Sequence, residues 1–144
     1  MLALGCDHGG YGLMQEVKAH LDKRGIEYRD FGTYSAESTD YPIYAKKVCT
    51  AITEGECEFG ILICGTGIGM SMTANKFKGI RAAVCSDCFS AQATRSHNNA
   101  NVLCMGARVT CQETAFEIVE KWLNTEFRGG ANKTKSDRIE NIWT

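Results

Sequence analysis

The sequence predicts a three-layer α/β domain: a five-stranded, mainly parallel sheet with helices on both faces. Three observations carry that prediction. Short, almost wholly apolar runs recur along the chain, among them LALGC, FGILIC and NVLCMG. Segments of helical length, apolar at three- and four-residue steps, separate them. Glycines and polar residues collect where the runs end, as at Gly65, Gly67 and Gly69. Continuous apolar strands alternating with helices build βαβ units, whose parallel sheet is covered on both faces.

The elements follow in order. Residues 2–6 read as a buried strand. Leu13, Val17 and Leu21 recur with charges between them, so an amphipathic helix spans 11–23 and Gly25 ends it. IEYRDFG alternates as a strand over 26–32. TDYPIYAKKVCTAIT, 39–53, is helical, with Pro42, the only proline, in its first turn. FGILIC, 59–64, is the most apolar strand, and MSMTANKF, 70–77, is the helix after the glycine loop. IRAAVC, 80–85, is a strand; the helix at 86–96 has Ser86 or Asp87 as its cap. A strand at 101–106 precedes a helix at 112–127 marked by Ala115, Ile118, Val119, Trp122 and Leu123. A polar stretch, 128–136, leads into a short helix ending at Trp143. The order is Rossmann-like, one domain over 1–144, and such sheets bind ligands outside the carboxyl ends of their strands.

Composition narrows the partners. Apolar residues are 44% and charged residues 23%, ordinary for a globular protein. Sixteen basic against 17 acidic residues leave a net charge of −1, which argues against nucleic acid or a membrane surface. No apolar run approaches the roughly 20 residues of a membrane span. The N-terminus reads as a strand and not as a signal peptide, so a cytoplasmic protein is expected. The eight cysteines are then reduced thiols, with Cys6, Cys64, Cys85 and Cys104 inside apolar runs as small core residues. The only C-x-x-C is Cys85-Ser-Asp-Cys88, and no second Cys/His pair follows at zinc spacing. A redox role for that pair requires thiols able to cycle. No metal and no cofactor are expected.

The strand ends carry the chemistry. In GCDHGGYG, Asp7 and His8 stand before a helix start: either a carboxylate and an imidazole facing a ligand, or a cap and a solvated turn. Gly65, Gly67 and Gly69 alternate into another helix start, which suits phosphate or a developing oxyanion. The loop has neither the Gly-Lys-Ser/Thr of a P-loop nor the spacing of G-x-G-x-x-G, so it lacks a nucleotide signature. Its bland alternative is a tight strand-to-helix turn. Cys64 precedes these donors; an ordinary thiol titrates near ~8.5, and a helix N-terminus favours thiolate. Taken alone, Cys64 reads first as a core thiol and only second as a nucleophile or base. RSHNNANV gathers Arg95, His97, Asn98, Asn99 and Asn101 before a strand, as turn formers or ligand contacts. His97 is the best acid/base candidate; His20 lies on the polar face of its helix and is expected in solvent. Arg108, Arg128, Lys133, Lys135 and Arg138 are available charges for a phosphate.

GCDHGG, DFGTYSAESTDYP, GILICGTGIGMSMTANKFKGIRAAVC, TRSHNNANVLCMGARV and FRGG, in this order, resemble the ribose-5-phosphate isomerase B family, which includes allose- and galactose-6-phosphate isomerases. The resemblance runs over about residues 3 to 130. It implies metal-free aldose–ketose isomerisation of a sugar phosphate through an enediolate, ribose 5-phosphate to ribulose 5-phosphate being the leading pair. By position it implies Cys64 as the base, with Gly65, Thr66, Gly67, Ile68 and Gly69 around the enediolate oxygen. His97 would open the sugar ring, Asp7 and Asn98 would hold hydroxyls, and His8 and Arg108 would lie towards the phosphate. It also implies a homodimer with shared active sites, open to further pairing as a tetramer. A glutamate base is excluded, because its neighbourhood reads Ser71-Met-Thr-Ala. One departure stands out. Where the family reads Gly-Gly-Arg-His-x-x-Arg, Gly129-Gly130 is followed by Ala131, and the second arginine is Lys135. That departure keeps two alternatives open: a six-carbon sugar phosphate, or a sugar-phosphate-binding module without turnover.

Overall fold

The computed structural model describes residues 1–143. In chain order the elements are β1 (Leu2–Cys6), α1 (Tyr11–Lys23), β2 (Tyr28–Asp30), α2 (Tyr41–Thr53), β3 (Phe59–Cys64), α3 (Ile68–Ala74), β4 (Ala82–Val84), α4 (Cys88–Ser96), β5 (Val102–Gly106), α5 (Gln112–Leu123) and α6 (Ala131–Glu140). The strands form one sheet ordered β2-β1-β3-β5-β4, and each pairing is parallel.

Strand position explains strand composition. β1, β3 and β5 are central and buried on both faces, which is why their runs hardly alternate. Successive side chains point to opposite faces and feed two cores. Leu2, Leu4, Ile61, Ile63, Leu103 and Met105 meet α1 and α5 through Leu13, Val17, Leu21, Ile118 and Trp122. Ala3, Leu62, Cys64, Val102 and Cys104 meet α2 and α3 through Val48, Cys49, Met70 and Ala74.

Several boundaries differ from those expected. The strands at 26–32 and 80–85 shrink to Tyr28–Asp30 and Ala82–Val84, because each is an edge strand with a single neighbour. α3 begins two residues early, directly after Gly67, and stops at Ala74. There the Asn75 side chain exchanges two hydrogen bonds with the Ala82 backbone, at 2.9 and 2.8 Å, and draws the chain towards β4. Of the two expected caps for α4, Asp87 is the one used: it accepts the Ser90 N–H at 2.7 Å. α5 ends at Leu123, four residues short of the expected 127. α6 begins inside the stretch expected to be polar coil, after Gly129 and Gly130 at positive φ, and ends at Glu140 before a turn. It is polar all round apart from Ala131 and Ile139, so hydrophobic periodicity does not announce it.

The connections also locate a crevice. From β1 the chain steps outward to β2, then returns to place β3 on the other side of β1. The carboxyl ends of β1 and β3 are thus a topological switch point, where neighbouring loops diverge and leave space.

Trp122 is 1% exposed and meets Phe59 edge to face at 5.4 Å. Trp122→Ala is expected to cost about 3–5 kcal/mol in urea unfolding. A loss below about 1 kcal/mol would show that α5 does not anchor this core.

Candidate active site

Two loops meet at the switch point. The first begins at Asp7, which is buried and accepts the Gly10 N–H on Oδ1 at 3.0 Å, closing the turn into α1. Next to it, His8 is exposed and its Nδ1 accepts the Thr39 N–H at 3.1 Å. That bond ties the β1–α1 turn to the segment before α2.

The second loop leaves β3 at Cys64. Cys64 is 4% exposed, and its sulfur accepts the Gly67 N–H at 3.1 Å. The Cys64 carbonyl accepts the Ala107 N–H at 2.9 Å and the Gly65 carbonyl the Arg108 N–H at 3.0 Å, so the loop is stitched to the exit of β5. Glycine is required at two points of this seam. Gly67 has φ +82°, and a Cβ there would lie 2.9 Å from the Met105 backbone. A Cβ on Gly106 would lie 2.5 Å from the Thr66 backbone. Thr66 Oγ1 accepts the Ile68 N–H at 3.2 Å, and Gly69 follows in the first turn of α3, where backbone donors have no intrahelical acceptor. The Arg108 side chain passes 3.7 Å from where a Gly65 Cβ would stand. A sulfur held by a backbone N–H at a helix start, in a loop that a guanidinium passes at Gly65, suits proton transfer next to a carbonyl and negative charge on its oxygen.

Asp7, His8, Cys64, Gly65, Thr66, Gly67, Ile68, Gly69 and Arg108 therefore share the carboxyl edge of the sheet. The remaining predicted site residues do not. His97 and Asn98 precede β5, which enters the sheet level with Gly60 and leaves it level with Cys64. The height of β5, about 13 Å at ~3.3 Å per residue, separates those two ends. Lys135 lies with the amino edge too, because α6 is held there by Ser136 Oγ donating to the Asn98 carbonyl at 3.4 Å. A cleft of about 690 Å³ opens beside this edge, with Arg81, Asn98 and Glu140 among its walls.

Other expectations need correction. His20 is half-buried, not in solvent: Nε2 lies 2.8 Å from Glu120 Oε1 and the ring stacks on Phe116 at 4.5 Å, because α5 covers that side of α1. Cys85 is buried and burial pushes its thiol up to about 11, which weighs against the redox reading of the pair, although Cys88 is half-buried. Among the described residues no group of three or more His, Cys, Asp or Glu could hold a metal ion. Sequence reasoning missed Tyr41, whose ring packs so close to Gly69 that a Cβ there would sit 2.5 Å away. Its place directly after the Asp40 cap, in TDYP, was the available signal.

Fold and site together define an α/β protein with a glycine-rich loop and a thiol at its switch point. The chain belongs to the ribose/galactose isomerase family, whose model matches residues 2–142. It is 51% identical to ribose-5-phosphate isomerase B of Escherichia coli over 141 residues, 98% of this chain and 95% of the relative. It is 42% identical to D-erythrulose-4-phosphate isomerase of Pectobacterium atrosepticum, over 96% of this chain and 91% of the relative. The structure of Clostridium thermocellum ribose-5-phosphate isomerase B superposes with a TM-score of 0.96 at 49% identity, covering 98% of this chain and 95% of that one.

The thiols differ in a way that labelling can read. Burial pushes Cys6 and Cys49 up to about 12 and Cys104 well above the ordinary range. Cys111 is exposed and lowered by hydrogen bonds from Thr114. Since thiolate is the reactive form, iodoacetamide at neutral pH is expected to modify Cys111 before Cys6, Cys49 or Cys104. Peptide mapping that found Cys104 labelled first would contradict this environment.

Proposed function

We propose that this chain, as a single-domain cytoplasmic homodimer, interconverts ribose 5-phosphate and ribulose 5-phosphate without a metal or cofactor. The observation that carries the reading is Cys64, its sulfur on the Gly67 N–H at 3.1 Å, at the switch point of a chain in this family. The Cys64 thiolate takes the proton from C2 of the open-chain aldose. The freed electron pair forms the C1–C2 double bond and O1 takes the charge. N–H groups of the 65–69 loop, with Thr66, hold that oxygen. A proton passes from O2 to O1, the proton held on Cys64 is returned to C1, and C2–O2 becomes the ketone, so the reaction is redox-neutral overall. Asp7 holds sugar hydroxyls, and His8 and Arg108 lie towards the phosphate. Eight free cysteines and no helix long and apolar enough to cross a membrane, among the described residues, accord with the compartment proposed.

A second copy completes the site. His97, which moves a proton from O1–H to the ring oxygen, and Asn98, which holds hydroxyls, come from the other chain, as does Lys135. Two observations support this. These residues stand at the opposite sheet edge from Cys64, and exposed apolar side chains flank the Cys64 loop: Ile68 and Met72 on α3, Val84 on β4, Phe89 on α4 and Val109 beyond β5.

Ala131 favours a second reading within the same chemistry. A site without that guanidinium fits a sugar phosphate of another length, six carbons as in allose or galactose 6-phosphate, or the four carbons of the Pectobacterium relative's substrate. Competing these sugars in one assay separates the readings. Cys64→Ala is expected to lower turnover by about 10²–10⁴-fold with an unchanged circular dichroism spectrum. Equal turnover would remove Cys64 from the mechanism. Ligand-induced thermal stabilisation without product in the wild type would instead identify a binding module.

A further inference from the structure

The loop that carries His97 and Asn98 is held by its own carbonyls, each from a different part of the chain. Asn98 O accepts from Ser136 Oγ of α6 at 3.4 Å. Asn99 O accepts from Arg81 Nε, just before β4, at 2.7 Å. Ala100 O accepts from Arg95 Nη1 of α4 at 2.7 Å. The same Nη1 reaches Asn99 Oδ1 at 3.3 Å, and Arg95 Nε donates to Thr125 O at 3.3 Å. Asn99 sits at φ +55°, the one non-glycine residue with positive φ among those described. That backbone is sterically unfavourable for an L-residue and persists where surrounding contacts hold it.

Arg95 is an expensive way to hold a loop. It is 7% exposed, and its guanidinium lies over the Phe59 ring at 4.7 Å and 5.7 Å from the Trp122 ring centroid. A buried cation is tolerated where its donors find acceptors and its charge faces ring π-systems. An apolar side chain of similar length would fill the same volume without desolvating a charge. What only a guanidinium supplies is a rigid fork of donors spanning Asn99, Ala100 and Thr125 at once. Arg81 works from the other side. Its N–H donates to Asn101 Oδ1 at 2.8 Å, and its guanidinium pairs with Glu140 of α6. His97, Asn98 and the helix bearing Lys135 are thereby one braced unit.

We propose that Arg95 is a positioning residue for the isomerase reaction, fixing the 97–101 loop so that its His97 and Asn98 reach the Cys64 of the other chain. This rests on the shared-site reading above. Its consequence is that Arg95 acts in trans, on the site whose Cys64 belongs to its partner.

The test uses full-length Arg95→Met and Arg95→Lys, with Cys64→Ala as complement. Arg95→Met is expected to lower kcat on ribose 5-phosphate by about 10²-fold with the dimer intact, the scale of a misplaced catalytic group. Arg95→Lys keeps the charge but has no fork, and is expected to fall about tenfold. Arg95→Met and Cys64→Ala dimers are then dissociated and re-paired together. Each mixed dimer has one site with both Cys64 and a braced loop, so random re-pairing restores roughly a quarter of wild-type activity. If re-pairing restores nothing, Arg95 serves only its own chain, and the proposal is overturned. Wild-type kcat in both Arg95 variants overturns it as well. Should Arg95→Met not fold, Arg95→Lys carries the same re-pairing test. A wild type that is monomeric, or inert on every sugar phosphate, overturns the shared-site reading itself. An active wild-type dimer with a failed re-pairing overturns this inference alone.

Discussion

The site depends on two backbones being allowed to touch. Gly67 lies against Met105, and Gly106 against Thr66, at separations no side chain permits. This seam presses the loop after β3 onto the end of β5, and the carbonyls of Cys64 and Gly65 are then bonded to Ala107 and Arg108. Only in that arrangement does the Gly67 N–H point at the Cys64 sulfur while α3 starts immediately beyond. Sulfur and backbone donors are thus placed largely by covalent and steric geometry. Such preorganisation is what electrostatic stabilisation of a transient charge needs, because donors already in position need no reorganisation as the charge develops.

The same sheet that builds this loop keeps His97 away from it. In a parallel sheet the carboxyl edge gathers the residues after strands and the amino edge those before them. Cys64 follows β3 and His97 precedes β5, so they lie on opposite edges. On the proposed reading symmetry resolves the conflict without changing the fold, a two-fold axis bringing the amino edge of one chain to the carboxyl edge of another. On the proposed reading the carbonyl braces around Asn99 have a clear purpose. A loop that must serve a neighbouring chain cannot rely on contacts within that site to hold it in the absence of substrate.

Much of this was legible in the sequence, for identifiable reasons. FGILIC and NVLCMG are buried on both faces, and continuous apolar runs of that length announce central strands. The helices α1, α2 and α5 have an apolar stripe to read. The edge strands were overextended because pairing, not composition, ends them: IRAAVC is apolar throughout but only Ala82–Val84 find a neighbour. α6 was shifted because its residues give no apolar stripe to read, and its place is set instead by positive φ at Gly129 and Gly130 and by ties from Ser136 and Glu140. At the site, the glycine loop and Cys64 were legible as chemistry. The contact of Tyr41 with Gly69 was not, since it joins residues 28 apart in the chain through the packing of α2 on α3. The same holds for His20, whose burial is created by Phe116 and Glu120.

On the proposed reading, Ala131 leaves the phosphate without one guanidinium, and α6 carries the cations available to replace it. Of the three nearby cations, Lys133 is engaged with Asp137 at 2.7 Å one turn further along α6. Lys135 and Arg138 are exposed and three residues apart, which places them side by side on one face of that helix. α6 is fixed to the braced loop by Ser136 and Glu140, so this face moves with His97 and Asn98 and not with Cys64. On the proposed reading, the ring oxygen is then handled by one chain and the carbon acid by the other, with the phosphate between Lys135 of the first and His8 and Arg108 of the second. A lysine ammonium recognises phosphate as a point charge and imposes less direction than a bidentate guanidinium. On that reading, the length of sugar that fits is set by the distance between the two chains' contributions more than by the geometry of the phosphate grip.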